Sequence, residues 1–168
     1  MPLTLILGPM YGGKTTELLK HRKGKTLILN HSFDTRTTGV KTHDGVEVEA
    51  HKCSTLPDLP ETSAFDSVLI DEAQFFDDLS NVESLAENVV VAGLSGDYLK
   101  RPFGKILTLI PKADEVIFLT ANCACGEPAP FTNEYPDVQT WLVWVLSTYQ
   151  CVGNVTQNNG VLKGVQFI

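Results

Sequence analysis

Apolar positions fall in five short runs separated by polar, Gly- and Pro-bearing stretches. The runs are Leu3 to Leu7, Lys25 to Asn30, Ser67 to Asp71, Asn88 to Leu94 and Glu115 to Leu119. Each is five to seven residues long, β-branched or Leu-rich, and does not alternate with polar residues. That pattern predicts short, largely buried strands. After the first run the pattern shifts to helical spacing up to about Arg22, then returns to strand at Lys25. A strand, a helix and a strand in that order predict a parallel pair joined by a right-handed crossover. The alternation in Val46-Glu47-Val48-Glu49 predicts a small hairpin strand, and Pro57 and Pro60 break any element before Ser63. Helices are expected over Asn81 to Glu87 and, shorter, over Gly104 to Leu109. The fold class is therefore α/β, a parallel sheet flanked by helices. After Thr120, Cys, Pro and Asn accumulate and periodicity fades. The division expected is an α/β domain over residues 1–120 and a small loop-rich lobe over 121–168.

The first strand runs into Gly8-Pro9-Met10-Tyr11-Gly12-Gly13-Lys14-Thr15, which is Gly, four residues, then Gly-Lys-Thr. Between a strand and a helix this is a phosphate-binding loop. Glycines let the backbone turn tightly and aim N–H groups at phosphate oxygens. The helix start adds the positive end of its dipole. Lys14 is expected to reach the β- and γ-phosphates of ATP, and the Thr15 hydroxyl to hold Mg2+. The acids Asp71-Glu72 close the third strand, where ligands of parallel sheets bind. Asp71 suits a Mg2+ ligand, and Glu72 suits a base toward a substrate hydroxyl. Alternatively, Asp71 caps a helix and Glu72 is solvated.

Composition narrows the class. With 43% hydrophobic residues in 168, the chain can bury a core and is not a disordered one. A net charge of −7 opposes nonspecific nucleic-acid binding without excluding a nucleotide in a local nest of N–H groups. No apolar run reaches membrane-spanning length and the start lacks a signal-peptide pattern, so an intracellular, cytoplasmic protein is expected, with no membrane partner. Cys53, Cys123, Cys125 and Cys151 are too few and too irregular for a secreted disulfide framework. No Asn-Lys-x-Asp sequence marks a guanine reader.

Taken in order, these segments resemble the cellular-type thymidine kinases, a class with a phosphate loop and a small zinc-bearing lobe. The resemblance is carried by Gly8 to Leu18, Asp34-Thr35-Arg36, Thr42-His43-Asp44, Asp71 to Phe76, Gly93 to Tyr98, Arg101 to Gly104, and Leu109-Ile110-Pro111. It runs from residue 3 to 132 in one register. It implies transfer of the γ-phosphoryl of ATP to the 5′-hydroxyl of thymidine, for DNA precursor salvage. By resemblance Glu72 is the general base. Gly8, Pro9, Met10, Tyr11, Gly12, Gly13, Lys14, Thr15, Asp71 and Gln74 meet ATP, with Thr15 and Asp71 on Mg2+. Met10, Leu94 and Phe103 line the base pocket, Tyr98 stacks on the base, and Thr132 and Tyr149 bound a lasso loop that grips it. For Met10, Leu94 and Phe103 the ordinary alternative is core packing. Arg36 is either near phosphate or a solvated arginine. A homo-oligomer, tetrameric in the family, is implied as well.

The resemblance departs in the small lobe. The family's two cysteine pairs hold zinc; here the first is Cys123-Ala124-Cys125, one residue short. Gly153 and Thr156 stand where the second pair is due, and the nearest cysteine is Cys151. Three cysteines so spaced make a poor tetrahedral site. Trp144-Val145 replaces a Gly-Gly pair within the very apolar run Trp141 to Leu146. That run reads either as a stretch translated out of frame near residues 139–147, which the nucleotide sequence decides, or as a strand packed on the sheet or a neighbouring subunit. The rival to a kinase is an ATP-binding module with a decayed substrate lobe. It predicts nucleotide binding without thymidine phosphorylation.

Overall fold

The computed structural model describes residues 2–34, 39–41, 45, 47–56, 62–123, 126–133 and 148–150. In chain order the elements are strand β1 (Leu3–Gly8), helix α1 (Lys14–Lys20), β2 (Thr26–His31), β3 (Val40–Lys41), β4 (Glu47–Val48) and β5 (His51–Cys53). They continue with β6 (Ser67–Asp71), β7 (Asn88–Leu94), β8 (Glu115–Phe118), β9 (Ala121–Asn122), β10 (Pro128–Ala129), β11 (Phe131–Asn133) and β12 (Thr148–Gln150). Six strands form one sheet in the order β5-β2-β6-β7-β1-β8, with every pair parallel. The five apolar runs are five of those strands, so the α/β class expected from them is the class observed.

The central strands are closed on both faces, which is why they carry no polar alternation. Leu3, Leu5, Leu7, Leu29, Val68, Ile70, Val89 and Val91 pack on one face with Phe76, Leu79, Ile106 and Leu109. Ile6, Ile28, Leu69, Val90 and Ala92 pack on the other, against Leu18 of α1 and Val40 of β3. Asp114 pins the sheet's amino edge. Its Oδ2 accepts the Leu3 N–H at 2.8 Å and its own N–H donates to the Leu3 carbonyl at 2.9 Å.

Four expectations change. Helix α1 stops at Lys20 rather than about Arg22, because the His21 N–H closes onto Leu18 as a tightened last turn. The helix expected over Asn81 to Glu87 is a kinked 3-10 segment, Leu79–Ser84, with Asn81 off helical geometry. The Ser84 hydroxyl bonds the Asn81 carbonyl and competes with a helical ladder. The short helix expected over Gly104 to Leu109 is a 3-10 segment, Ile106–Lys112. Its buried residues Ile106 and Leu109 lie three apart, and Pro111 has no N–H for an α-helical bond. Finally, β5 extends the sheet beyond β2 where no strand was expected, since His51-Lys52-Cys53 has no apolar run to announce it. The hairpin strand expected near Val46 to Glu49 is β4, paired antiparallel with β3. Among the described residues no helix is long and apolar enough to cross a membrane.

Leu5 is wholly buried in β1 between β7 and β8. Leu5→Ala is expected to lower unfolding free energy by about 2–5 kcal/mol, read from the urea midpoint at constant slope. A loss below about 1 kcal/mol would show that β1 is not the centre of the core.

Candidate active site

Because the sheet is parallel, the carboxyl ends of β1, β2, β6 and β7 face one edge, where chemistry in such sheets collects. From β1 the chain turns through Pro9 to Gly13 into α1, with Tyr11 at φ 59° and Gly13 at φ 77°. Tyr11 holds a left-handed backbone without being glycine, a strained conformation of the kind met at ligand-binding loops. Met10 to Glu17 are half-buried. Lys14 Nζ folds back and donates to the Pro9 carbonyl at 2.6 Å, so the cation lies across its own loop.

Thr15, the next residue in α1, donates its hydroxyl to Asp71 Oδ2 at 2.7 Å. Asp71 Oδ1 accepts the Glu72 N–H at 3.0 Å. The carboxyl is 4% exposed. Burial, with the neighbouring Glu72 carboxylate, pushes it up to about 6, against the pull of the Thr15 hydroxyl, the Glu72 N–H and the Lys14 charge. The arrangement contradicts the simpler alternative for Asp71: it does not cap the following turn, whose N-cap is Glu72. Glu72 takes a left-handed backbone at φ 53°. Its Oε2 accepts the Gln74 amide N–H at 2.6 Å. Gln74 Oε1 in turn accepts the Leu94 N–H at 3.0 Å, at the end of β7.

The phosphate-loop residues, both acids, Gln74 and Leu94 are thus joined through 2.6–3.0 Å bonds at one edge. Thr132 joins them from 122 positions away: its Oγ1 accepts the Met10 N–H at 3.0 Å. Thr132 and Tyr149 stand opposite one another in the β11–β12 pair. Phe103 packs edge-on against Phe75 at 5.6 Å between ring centres. Tyr98 lies on the turn beyond β7, 38% exposed, and that turn is tied by Asp97 accepting the Leu99 and Arg101 N–H groups. Cys123 follows β9, while Cys125, Cys151, Arg36 and the Trp141 to Leu146 run lie outside the described residues.

Two contributors escaped the sequence reading. Phe75 backs Phe103, and its signal was only the aromatic pair closing the acid motif. Asn30 lies beside Asp71 in register, buried, and donates to Asp34 Oδ2 at 3.0 Å. A polar residue ending an apolar strand at the edge where Asp71 ends another was the signal for it.

Comparison with known proteins gives the same direction. The family model described as thymidine kinase matches residues 1–145. The chain is 39% identical to thymidine kinase a of Arabidopsis thaliana, across 95% of this chain and 76% of that protein. It is 35% identical to the cytosolic thymidine kinase of Gallus gallus, across 78% of this chain and 65% of that one. With the cytosolic thymidine kinase of Homo sapiens the identity is 37%, across 78% of this chain and 62% of that one. The chain therefore spans about three quarters of the plant relative and less than two thirds of the two animal ones. A family match over most of the chain, on a parallel sheet with a lysine loop and two acids at its carboxyl edge, places it: the chain belongs to the thymidine kinase family.

Proposed function

We propose that the chain is an ATP-dependent thymidine kinase that moves the γ-phosphoryl of ATP to the 5′-hydroxyl of thymidine. The observation that carries the reading is the division of labour at the end of β6. The Asp71 carboxyl is bound to the phosphate-loop hydroxyl of Thr15, while the next residue, Glu72, presents a carboxylate of its own. Phosphoryl transfer asks the protein for positioning and charge neutralisation more than for covalent chemistry.

In this reading Lys14 leaves the Pro9 carbonyl for the transferring phosphate, and the loop's N–H groups hold the remaining oxygens. Thr15 Oγ1 and Asp71 Oδ2, 2.7 Å apart, are hard oxygen donors of the type Mg2+ takes, so these residues fit that ion. Bound there, Mg2+ supplies neutralisation of phosphate charge. Glu72 accepts the proton of the sugar hydroxyl as the alcohol attacks phosphorus. Leu94, Phe103, Met10 and Thr132 border the nucleoside, Tyr98 supplies an aromatic face, and Tyr149 closes the lasso. Residues 1–120 form the nucleotide domain and 121–168 the small lobe, and the tetrameric, cytoplasmic state implied by the resemblance belongs to the same reading.

The direct measurement is phosphate transfer from labelled ATP to thymidine by the purified chain, with other nucleosides as competitors. Nucleotide binding without any transfer would mean an ATP-binding module instead. Glu72→Gln is expected to lower kcat by about 10²–10⁴-fold while ATP still binds; equal turnover in the two proteins would remove Glu72 from the role of base. Lys14→Ala is expected to weaken ATP binding at least about tenfold, read by titration calorimetry, and unchanged affinity would show that the loop does not hold phosphate.

Asp71 also sets a pH dependence of stability. Its folded value, about 6, lies above the ordinary 3.8. The folded state therefore keeps the proton that the unfolded chain releases, and this contribution is full below about 4 and lost as pH rises through about 6. Asp71→Asn removes it. The stability of the variant relative to wild type is expected to climb between pH 4 and 7 by at most about 1.4 kcal/mol per unit. A difference that stays flat over that window, in urea melts without nucleotide, would show that the carboxyl is not held protonated.

A further inference from the structure

Gln74 is buried at 3% exposure, yet its amide is committed at both ends. Oε1 accepts the Leu94 backbone N–H at 3.0 Å, and Nε2 donates to Glu72 Oε2 at 2.6 Å. A peptide N–H can only donate, and an ionised carboxylate can only accept. Turning the amide over would set donor against donor at Leu94 and acceptor against acceptor at Glu72. The chemistry of the two partners therefore fixes the orientation, and Gln74 must present its N–H to Glu72.

The surroundings are shaped to keep it there. A Cβ on Gly93 would lie 2.6 Å from Gln74 Oε1 and 2.6 Å from Ile106 Cδ1. At Gly104, φ 64°, an added Cβ would collide with the Gln74 carbonyl. Two glycines, one in β7 and one before the Ile106–Lys112 segment, thus form the seat of one glutamine. Glu72 itself rests on a left-handed backbone, a conformation that costs a non-glycine residue about 1–3 kcal/mol and persists only where neighbours hold it.

We propose that Gln74 is a positioning residue for the reaction: anchored on the Leu94 N–H, it fixes the Glu72 carboxylate in the direction from which it meets the nucleoside hydroxyl. This rests on the reading of Glu72 as the base. One carboxylate oxygen is occupied by the amide, and the rotation of the group is thereby restricted. Because Leu94 also borders the proposed base pocket, the glutamine ties the base-recognition wall to the acid that acts on the sugar.

The test separates the two halves of the amide. Gln74→Glu keeps an acceptor for the Leu94 N–H and sets a second carboxyl against Glu72 in place of the amide donor; Gln74→Met, of similar length, removes both. Each is made alone and on a Glu72→Gln background, and kcat, the thymidine KM and Tm are measured for the full chain. Gln74→Glu is expected to lower kcat about 10- to 100-fold with the thymidine KM within about threefold. On the Glu72→Gln background the same change is expected to cost less than about twofold more, since a residue acting through Glu72 has nothing left to act on. If Gln74→Glu does not fold, as its Tm reports, Gln74→Met carries the same cycle. A kcat within about twofold of wild type, or an equal loss in both backgrounds, overturns the proposal. Should Glu72→Gln by itself leave kcat unaltered, the base assignment fails and takes this inference with it.

Discussion

A carboxyl group at the end of a buried strand must be held from several sides or it will not stay charged. Asp71 is in that position, and the site is arranged around holding it. The Thr15 hydroxyl reaches it from the start of α1, and the Glu72 N–H reaches it from the next residue. The bond to Thr15 spans 56 positions and fixes the start of α1 against β6. The neighbouring carboxylate and the burial work the other way and raise Asp71's affinity for a proton. A cation placed among these groups relieves both penalties, so a site that is costly alone is suited to a charged partner.

The same constraint explains why the second acid looks elsewhere. Two carboxylates on adjacent residues repel unless their side chains diverge. The left-handed backbone at Glu72 turns the chain sharply from β6 into the Ala73–Phe75 turn. Asp71 then meets the phosphate loop while Glu72 meets Gln74. One local kink thus gives two acids two environments. The loops around them are knit by backbone N–H groups, Leu94 to Gln74, Met10 to Thr132, Leu99 and Arg101 to Asp97, and the Arg101 guanidinium adds an ion pair to Asp97 at 2.7 Å. Backbone donors are set by the path of the chain and carry little rotamer entropy, which suits loops that must keep a fixed spacing.

The family comparison and the geometry bear on different levels. Identity of 35–39% to thymidine kinases over most of the chain establishes descent. Which atoms meet comes from the bond of Lys14 to the Pro9 carbonyl and from those among Thr15, Asp71, Glu72 and Gln74.

The sequence by itself determined the parallel sheet and the edge at which its Gly-Lys-Thr loop and its two acids meet. Strands buried on both faces have to be apolar throughout, so β1, β2, β6 and β7 were visible as runs, as was the partly exposed edge strand β8, and the Gly-Lys-Thr loop and Asp71-Glu72 fell at strand ends. Elements with no such requirement stayed hidden. Strand β5 owes its existence to the free edge of β2, and the Leu79–Ser84 and Ile106–Lys112 segments wind as 3-10 turns because Ser84, Asn81 and Pro111 interrupt helical bonding locally. Only the tertiary structure decided what Gln74 touches, that Thr132 bonds Met10, and that Asn30 lies beside Asp71. Those relations depend on strand order and on the closeness allowed at Gly93 and Gly104, and a hydrogen bond between residues far apart in the chain leaves no periodic trace along it.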